Sequence, residues 1–594
     1  MRINVVDTLP PSELVQHPFK GQHHEFLLNE INNLTTNAVI AETEHTRGEF
    51  ISPIFLRPKS ENSFRLILNL KSLNKHVPYE HFKMDTLNKI LQLVRPNVFM
   101  AKIDIKDAYY SVSIHQDDTD LLKFSLYGKL YKFLALPNGY AEGPRKFTKL
   151  LKPPLAVLRS SGICVAAYID DLITMNNSFN ACLNNVFSIV NMIDSIGFTL
   201  NVHKSKLIPS QKIEFLGMII DSTTMTVSLT QDKKLNIKAM ASAILLESRT
   251  KIRDIARFIG KLTSSLIAVP LGKLFYRHLD RLKCKALVQN QGNFDKFCYL
   301  DEYSKIELQW WVDNISEAIA PINRGNPIYT LTTDASMKGW GATYAGNKTG
   351  GHFDHEERES HINILEAKAV LFGLKSLCKH IANSHILVKT DNLATKGALN
   401  NMGSSKSPAL HFQIYEIWQW AISSNNWITA THIPGIENVE ADTESRRDEE
   451  KMEWKLNVGS FNYLVSALAF NPIIDLFASR INTQIPKFFS YRHDPECFGV
   501  DAFTVSWGNI LFYAFPPFCL VAKVIQKIVF DKATGILIVP DWPNQIWYSL
   551  LEEIKIKEII LPPSCDLLFL PQRRETRHPL RRRLQLRALL VSAR

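Results

Sequence analysis

The sequence predicts a multidomain chain of mixed α/β and α+β class. With 594 residues, 45% hydrophobic and 21% charged, it can bury several hydrophobic cores, and length alone indicates roughly four domains. Short apolar runs end repeatedly in a carboxylate: Phe99–Asp104, Gly162–Asp170, Ile328–Asp334, Ile386–Asp391 and Pro472–Asp475. Such runs, alternating or bounded by turn residues, read as strands. Between them lie stretches of helical spacing, the longest from Ser228 to Trp311, where Ile252, Ile255, Ala256, Ile259 and Leu262 share one stripe.

Charge and composition narrow the function classes. A net charge of +11 and a pI near 9.0 favour a polyanionic partner. The eight cysteines are scattered with no Cys-x-x-Cys pair, which suggests neither a disulfide framework nor a zinc knuckle and suits a reducing compartment. There is no uncharged apolar run long enough to span a bilayer, and Met1–Asp7 lacks the apolar core of a signal peptide. The expectation is an intracellular protein of the cytoplasm, the nucleus or both, with no membrane partner.

Tyr168-Ile-Asp170-Asp171 is the most telling stretch. Adjacent carboxylates between strand-like runs repel each other unless a cation neutralises them; the alternative is a plain acidic hairpin turn. In Phe99–Tyr109, alternation places Phe99, Ala101, Ile103 and Ile105 on one face and Asp104 on the other, so Asp104 can meet Asp170 across a sheet. Two divalent ions about 4 Å apart on such carboxylates activate a 3′ hydroxyl and stabilise a leaving pyrophosphate. That chemistry is nucleotidyl transfer.

Lys102-Ile-Asp-Ile-Lys-Asp-Ala-Tyr109, Leu136-Pro-Asn-Gly-Tyr140, Tyr168-Ile-Asp-Asp171, Gly197-Phe-Thr-Leu-Asn-Val-His-Lys204 and Glu214-Phe-Leu-Gly217 follow one another in this order. The series resembles the ordered motifs of retroelement reverse transcriptases. The resemblance implies a right-hand polymerase with fingers, palm and thumb. It makes Asp104, Asp170 and Asp171 ligands for Mg2+, with Mn2+ as a substitute. Tyr109 would exclude a ribose 2′ hydroxyl, Arg65 would grip the incoming deoxynucleoside triphosphate, Asn138 and Gly139 would line its pocket, and Lys204 would protonate pyrophosphate. Lys59 and Lys71 stand equally as fingers contacts and as solvated surface charges. Asn138 and Asn69 depart from the family, which often has Gln and Asp there.

Four further carboxylates lie on separate elements: Asp334 on a strand, Glu366 in a helix, Asp391 at a strand end and Asp442 early in a helix. Their order resembles ribonuclease H, a fold with a mixed sheet. The resemblance implies that Mg2+ held by Asp334, Glu366, Asp391 and Asp442 orients water against an RNA phosphate, in a strand recognised through its 2′ hydroxyls. His432 lies ten residues before Asp442 but directly before Ile433-Pro-Gly435. It reads either as a mobile catalytic histidine or as a strand end beside a shortened loop.

Beyond Met452, Pro472-Ile-Ile-Asp475-Leu-Phe-Ala-Ser reads as entry to a Rossmann-like sheet. With Asp494-Pro, Asp501-Ala-Phe, Trp507, Tyr513-Ala-Phe-Pro-Pro-Phe518 and Gly535–Pro540, it resembles phage-type DNA adenine methyltransferases. Phe515 occupies the place where that family carries Asn or Asp to hold the target amino group, so a degenerate domain serving nucleic-acid binding or assembly is expected. From Arg573 to Arg594 eight arginines face one acid, Glu575, and predict an extended or partly helical arm along phosphates, or an import signal.

The domain expectation is therefore an N-terminal extension (1–45), fingers and palm (46–227), thumb and connection (228–327), ribonuclease H (328–450), a methyltransferase-like domain (451–570) and a basic tail (571–594). The whole order resembles the polyprotein of DIRS-type retrotransposons, whose members are paired with a separately encoded tyrosine recombinase. The partners implied are an RNA template, a DNA primer, RNA/DNA hybrid and deoxynucleoside triphosphates. The competing reading is an inactive or domesticated copy that only binds nucleic acid.

Overall fold

A computed structural model describes residues 1–6, 19, 21–60, 63–447 and 453–593, without the side chains of 22, 59, 60 and 63, so the proposed role of the Lys59 side chain lies outside the described residues. The chain is of mixed α/β class and divides into two compact units. One holds Met1–Ala243, Lys261–Pro270 and Trp311–Asn323, the other Ile244–Gly260, Leu271–Trp310 and Arg324–Arg594.

In the first unit, β1 (Phe99–Asp104), helix α1 (Gly143–Ser160), β2 (Val165–Tyr168), β3 (Asp171–Asn176), α2 (Phe179–Ser195) and β4 (Lys206–Ser210) form a sheet and its cover. The four strands are antiparallel in the order β2-β3-β1-β4. Ile103, Val165 and Leu172 pack against Phe147, Leu151 and Leu155 of α1 and Ile189 and Ile193 of α2. The pleat then turns Lys102 and Asp104 to the opposite face, where Asp171 is the register partner of Asp104. One side of the sheet thus supplies the core, and the other is free for polar chemistry.

The described residues of 1–45 are not a separate extension. Ile40–Thr43 pairs with Lys129–Phe133, and Leu27, Ile31 and Leu34 of the helix Gln22–Thr36 enter the same core as Phe124 and Phe133. Burial of apolar side chains some ninety residues apart in sequence was invisible to local pattern. The fully buried ammonium of Lys123 is held there by Glu44 O (2.9 Å), Thr46 Oγ1 (2.7 Å) and Glu49 Oε2 (2.8 Å). Burial opposes ionisation of Glu49, yet hydrogen bonds from Lys123 and His45 bring its carboxyl from 4.5 down to about 2. A depressed folded pKa contributes stability above the unfolded value that is lost as pH falls through the folded one. Glu49→Gln, which leaves the buried Lys123 ammonium with the more distant carboxylate of Asp120 at 3.3 Å, is expected to cost about 2 kcal/mol at neutral pH. In urea unfolding curves, the difference from wild type should shrink between pH 4.5 and about 2.

The expected thumb and connection, 228–327, is not one body. Thr226–Leu229 pairs with Ile319–Pro321 in the first unit, whereas Leu271–Trp310 belongs to the second. The helical stripe of Ile252–Leu262 is a helix, Ile252–Ser265. Its cations are largely satisfied locally: Arg253 makes a bidentate pair with Asp295 at 2.8 Å, and Arg257 pairs with Asp254 at 3.2 Å.

The second unit contains α3 (Arg277–Gln289) and a mixed sheet of β5 (Tyr329–Ala335), β6 (Gly339–Tyr344), β7 (Asn347–His352), β8 (His385–Thr390) and β9 (Trp427–His432). The order is β7-β6-β5-β8-β9, with β5, β8 and β9 parallel and the β5-β6-β7 meander antiparallel. Helices α4 (Ile362–Leu377), α5 (Pro408–Ser423) and α6 (Val439–Ser445) belong to the same body. Two glycines set the helix positions. A Cβ at Gly373 would lie 2.9 Å from that of Ala342, and one at Gly341 would collide with the backbone of Ala441, so α4 and α6 approach the sheet more closely than side chains permit.

A third sheet comprises β10 (Ile474–Asp475), β11 (Leu511–Ala514), β12 (Thr534–Pro540), β13 (Lys555–Leu561) and β14 (Leu586–Ser592), in the order β10-β11-β12-β14-β13. The first three are parallel, and β14 runs antiparallel to β12 and β13. The expected basic tail is therefore corrected. Leu586, Ala588, Leu589 and Val591 are fully buried, and Arg587 pairs with Glu552 (2.7 Å) and Glu558. The apolar run Leu-Leu-Val completes the sheet, and arginine density concealed it. Among the described residues, no helix is long and apolar enough to cross a membrane.

Candidate active sites

The first site is built on the β2–β3 hairpin. Tyr168 pairs with Asp171, which leaves Ile169 and Asp170 as a two-residue turn. Ile169 has φ +56°, a region costly for a β-branched side chain, so the surrounding structure holds this turn against local preference. The strain sets Asp170 beside the end of β1, where Ile105 N donates to Asp170 O at 3.0 Å. Asp104 is fixed from below: its N–H donates to Ser205 Oγ (2.9 Å), and its C=O accepts from Asn201 N (2.8 Å).

Electrostatics mark the three acids as a group. Burial raises the pKa of Asp104, Lys204 opposes the rise, and Asp171 adds to it. Asp170 is likewise raised by burial, then by Asp171 and Asp104, with Lys204 opposing. The charge of Lys204 thus acts on both carboxylates. Tyr109 is pushed up to about 12 by burial and by Asp170, and packs edge-on to Phe147 with ring centroids 5.6 Å apart. Lys102 Nζ lies 2.8 Å from Asp171 Oδ1. Sequence reasoning gave Lys102 no role; its i, i+2 spacing from Asp104 was the available signal.

The other expected contacts are less tightly gathered. Asn138 Nδ2 donates to Tyr110 O–H at 3.4 Å. Gly139, at φ +106°, has its C=O bonded by Asn74 Nδ2 (2.9 Å), while Asn74 Oδ1 accepts from Ala141 N (2.9 Å). Asn74 is the clamp of that loop. Arg65 is exposed on a hairpin strand, opposite Arg57, and Lys71 is exposed.

The second site lies on the β5–β8 sheet. One oxygen each from Asp334, Glu366 and Asp391 falls within 4.8 Å of the others. Among the described residues Asp104, Asp170 and Asp171 do not form such a trio, and Asp171 is paired with Lys102. Asp334 accepts from Ser445 Oγ (2.6 Å) and Asn438 Nδ2 (3.3 Å), seven residues apart and so on one face of the α6 segment. Asp442 lies outside that trio, part-buried and paired with Arg446 Nε at 2.6 Å. His432 is exposed at the end of β9, in register with Thr390, and donates to none of these carboxylates.

Burial raises Asp334 to about 6, against the Ser445 hydrogen bond, and raises Glu366 to about 9 with help from Asp334 and Asp391. Glu366 Oε2 is buried without a hydrogen-bond partner. An orphaned hard oxygen among crowded carboxylates fits a divalent cation. Raised folded pKa values mean the native state holds protons the unfolded chain has lost, so stability falls as pH rises from 4.5 towards about 9. Without divalent ions, the melting temperature should fall between acidic and mildly alkaline pH. Mg2+ should reverse the fall, and Glu366→Gln should remove most of it, at about 2–4 °C per kcal/mol.

In the same unit a cavity of about 420 Å³ opens beyond β10 and β11, lined by Phe477, Ser479, Tyr491, Asp501, Phe503 and Phe515 among others. Asp475, buried beside it, is raised to about 7 by burial, against hydrogen bonds from Gln484 N and Phe477 N.

Residues 57–220 match the family model described as reverse transcriptase (RNA-dependent DNA polymerase). The matched segment takes in Arg65, Asp104, Tyr109, Asn138, Gly139, Asp170, Asp171 and Lys204. The chain is 25% identical over 429 residues to the enzymatic polyprotein of Cauliflower mosaic virus, covering 68% of this chain and 58% of that protein. It is 23% identical over 210 residues to the transposon Tf2-3 polyprotein of Schizosaccharomyces pombe, covering 35% and 15% respectively. The chain thus spans just over half the length of the viral polyprotein. A foamy viral protease-reverse transcriptase solved with RNA/DNA hybrid aligns with a TM-score of 0.48 and 18% identity, over 72% of this chain and 56% of that one.

Proposed function

We propose that this chain is a retrotransposon RNA-directed DNA polymerase that also hydrolyses the RNA of RNA/DNA hybrids. The observation that carries the reading is the grouping of Asp104, Asp170 and Asp171 with Tyr109 and Lys204, inside the segment that matches the reverse transcriptase family. Asp104 and Asp170, with Asp171 once released from Lys102, would hold Mg2+ or Mn2+, and Asp334, Glu366 and Asp391, with Asp442 nearby, would hold it at the second site. Bound divalent cations supply Lewis acidity toward phosphate oxygens and lower the pKa of an attacking hydroxyl or water. Around them, Tyr109 would shape the sugar pocket against a 2′ hydroxyl, and Lys204 would give a proton to departing pyrophosphate. Arg65 grips the triphosphate, and Asn138 and Gly139 form the pocket wall. Asn438 and Ser445 orient Asp334 by hydrogen bonds, and the Ser445 hydroxyl opposes its protonation.

The substrates are an RNA template, a DNA primer and deoxynucleoside triphosphates, and then the hybrid. The residues after 453 serve nucleic-acid binding or assembly without methyl transfer, since the phenyl ring of Phe515 cannot accept a hydrogen bond from an adenine amino group. The order of domains favours a DIRS-type element with a tyrosine recombinase encoded beside it. Primer extension on an RNA template, followed by release of labelled RNA fragments from the product hybrid, tests the reading. Folded chain that binds primer–template yet incorporates no nucleotide in Mg2+ or Mn2+ would refute it.

A further inference from the structure

We propose that α3 and the loop 401–407 form a phosphodiester-binding site in the second unit, separate from the carboxylate centre. Lys273, Arg277 and Arg281 follow one another at four-residue spacing, with Arg277 and Arg281 one turn apart on α3. All three are only half exposed. Arg277 Nη2 donates to Asn401 O at 2.8 Å, and Arg281 Nη1 donates to Ser404 O at 3.3 Å, so the cations are held against backbone rather than against acids.

The acids facing this cluster are engaged elsewhere. Glu307 accepts from His278 N (2.9 Å) and Leu279 N (2.8 Å) at the start of α3, Asp301 pairs with His278 at 2.7 Å, and Asp280 pairs with Lys283 at 2.5 Å. Among the described residues, no carboxylate lies within ion-pair distance of Lys273, Arg277 or Arg281. Part-buried cations without a carboxylate in contact are costly in the free protein, and an arriving anion lowers that cost.

His411, only 7% exposed, faces the same point. Its Nδ1 and the Nε of Arg277 are both buried without a hydrogen-bond partner. Between them sits Gly403 at φ +137°, where a Cβ would strike the imidazole and lie 3.0 Å from Arg277 Nε. Burial, then Arg281, Arg277 and His278, lowers His411 to about 4, so its ring is neutral at physiological pH and offers one N–H. Ser405 and Lys406 are exposed on the same loop, leaving the approach open to solvent. The close approach of Gly403 seats the loop against Arg277 and His411, and two guanidinium forks with an ammonium suit a tetrahedral phosphate oxygen set. Backbone phosphates of a duplex, contacted without regard to sequence, are the ligand class.

The identity of the ligand rests on the proposed function, but the test separates the two. Full-length chain in EDTA is titrated with an RNA/DNA hybrid and a DNA duplex of unrelated sequence, between about 50 and 200 mM salt. Lys273→Gln/Arg281→Gln should weaken binding to both duplexes alike and make the log–log salt slope shallower by about 0.9 for each phosphate that is no longer neutralised. One such phosphate accounts for roughly three- to fourfold of the fall in affinity across that salt range. Arg281→Lys should recover most of the slope. Lys273→Gln alone, which breaks no bond to the loop, should reduce the slope if the double variant unfolds. Wild-type slopes in folded variants, or equal displacement by polyglutamate, would overturn the site. Primer extension assayed on the same preparations reports on the polymerase reading independently.

Discussion

Asp170→Asn is expected to abolish nucleotide incorporation on an RNA template, by at least about 10³-fold in kcat. Losing a ligand that holds charge at the transferring phosphate removes several kcal/mol of transition-state stabilisation, at about 1.4 kcal/mol per decade. The fold should survive the change. The hydrogen bond that ties the turn to β1 runs through Asp170 O, not its side chain, and the substitution relieves repulsion from Asp104 and Asp171. The diagnostic outcome is therefore lost turnover with an unchanged or raised melting temperature and unchanged template binding. Equal incorporation by wild type and variant would mean that the activity resides elsewhere or in a contaminant, and the assignment of this hairpin would fail.

The second large effect concerns hybrid cleavage. Glu366→Gln or Asp334→Asn should reduce release of RNA fragments by about 10³-fold or more on the same reasoning, while primer extension by the same protein persists. Asp442→Asn should cost less, because Asp442 lies outside the cluster within 4.8 Å and is already paired with Arg446. Cleavage that survives Glu366→Gln in metal-dependent form would place the hydrolytic centre away from α4. Hybrid cleavage and extension lost together from one substitution in a folded chain would show that the sites are not independent.

Much of both candidate sites was legible because it depends on local rules. Alternation turned Asp104 away from Ile103, and apolar runs ending in acids located Asp334 and Asp391 at strand ends. Helical spacing likewise placed Glu366 on α4 and Asp442 on α6, and the seven-residue step between Asn438 and Ser445 was readable in hindsight. These signals need only the periods of helix and strand.

What remained hidden depends on pairings between distant parts of the chain. Local pattern assigned residues 40–43 to an extension and 586–592 to a basic arm along phosphates, yet each completes a sheet whose partners lie far away in sequence. A charge count cannot distinguish Arg587, buried against Glu552, from Arg277, which has no acid partner among the described residues, because ionic partnership is a matter of distance in space. The same limit applies at the sites: Lys102 on Asp171 and the crowding that leaves Glu366 Oε2 orphaned exist only once strands are in register. The order of carboxylates, helices and strands was set by the sequence alone. Which charges stand paired, buried or open to a ligand was decided by the tertiary fold, since desolvation and Coulomb energy act through space rather than along the chain.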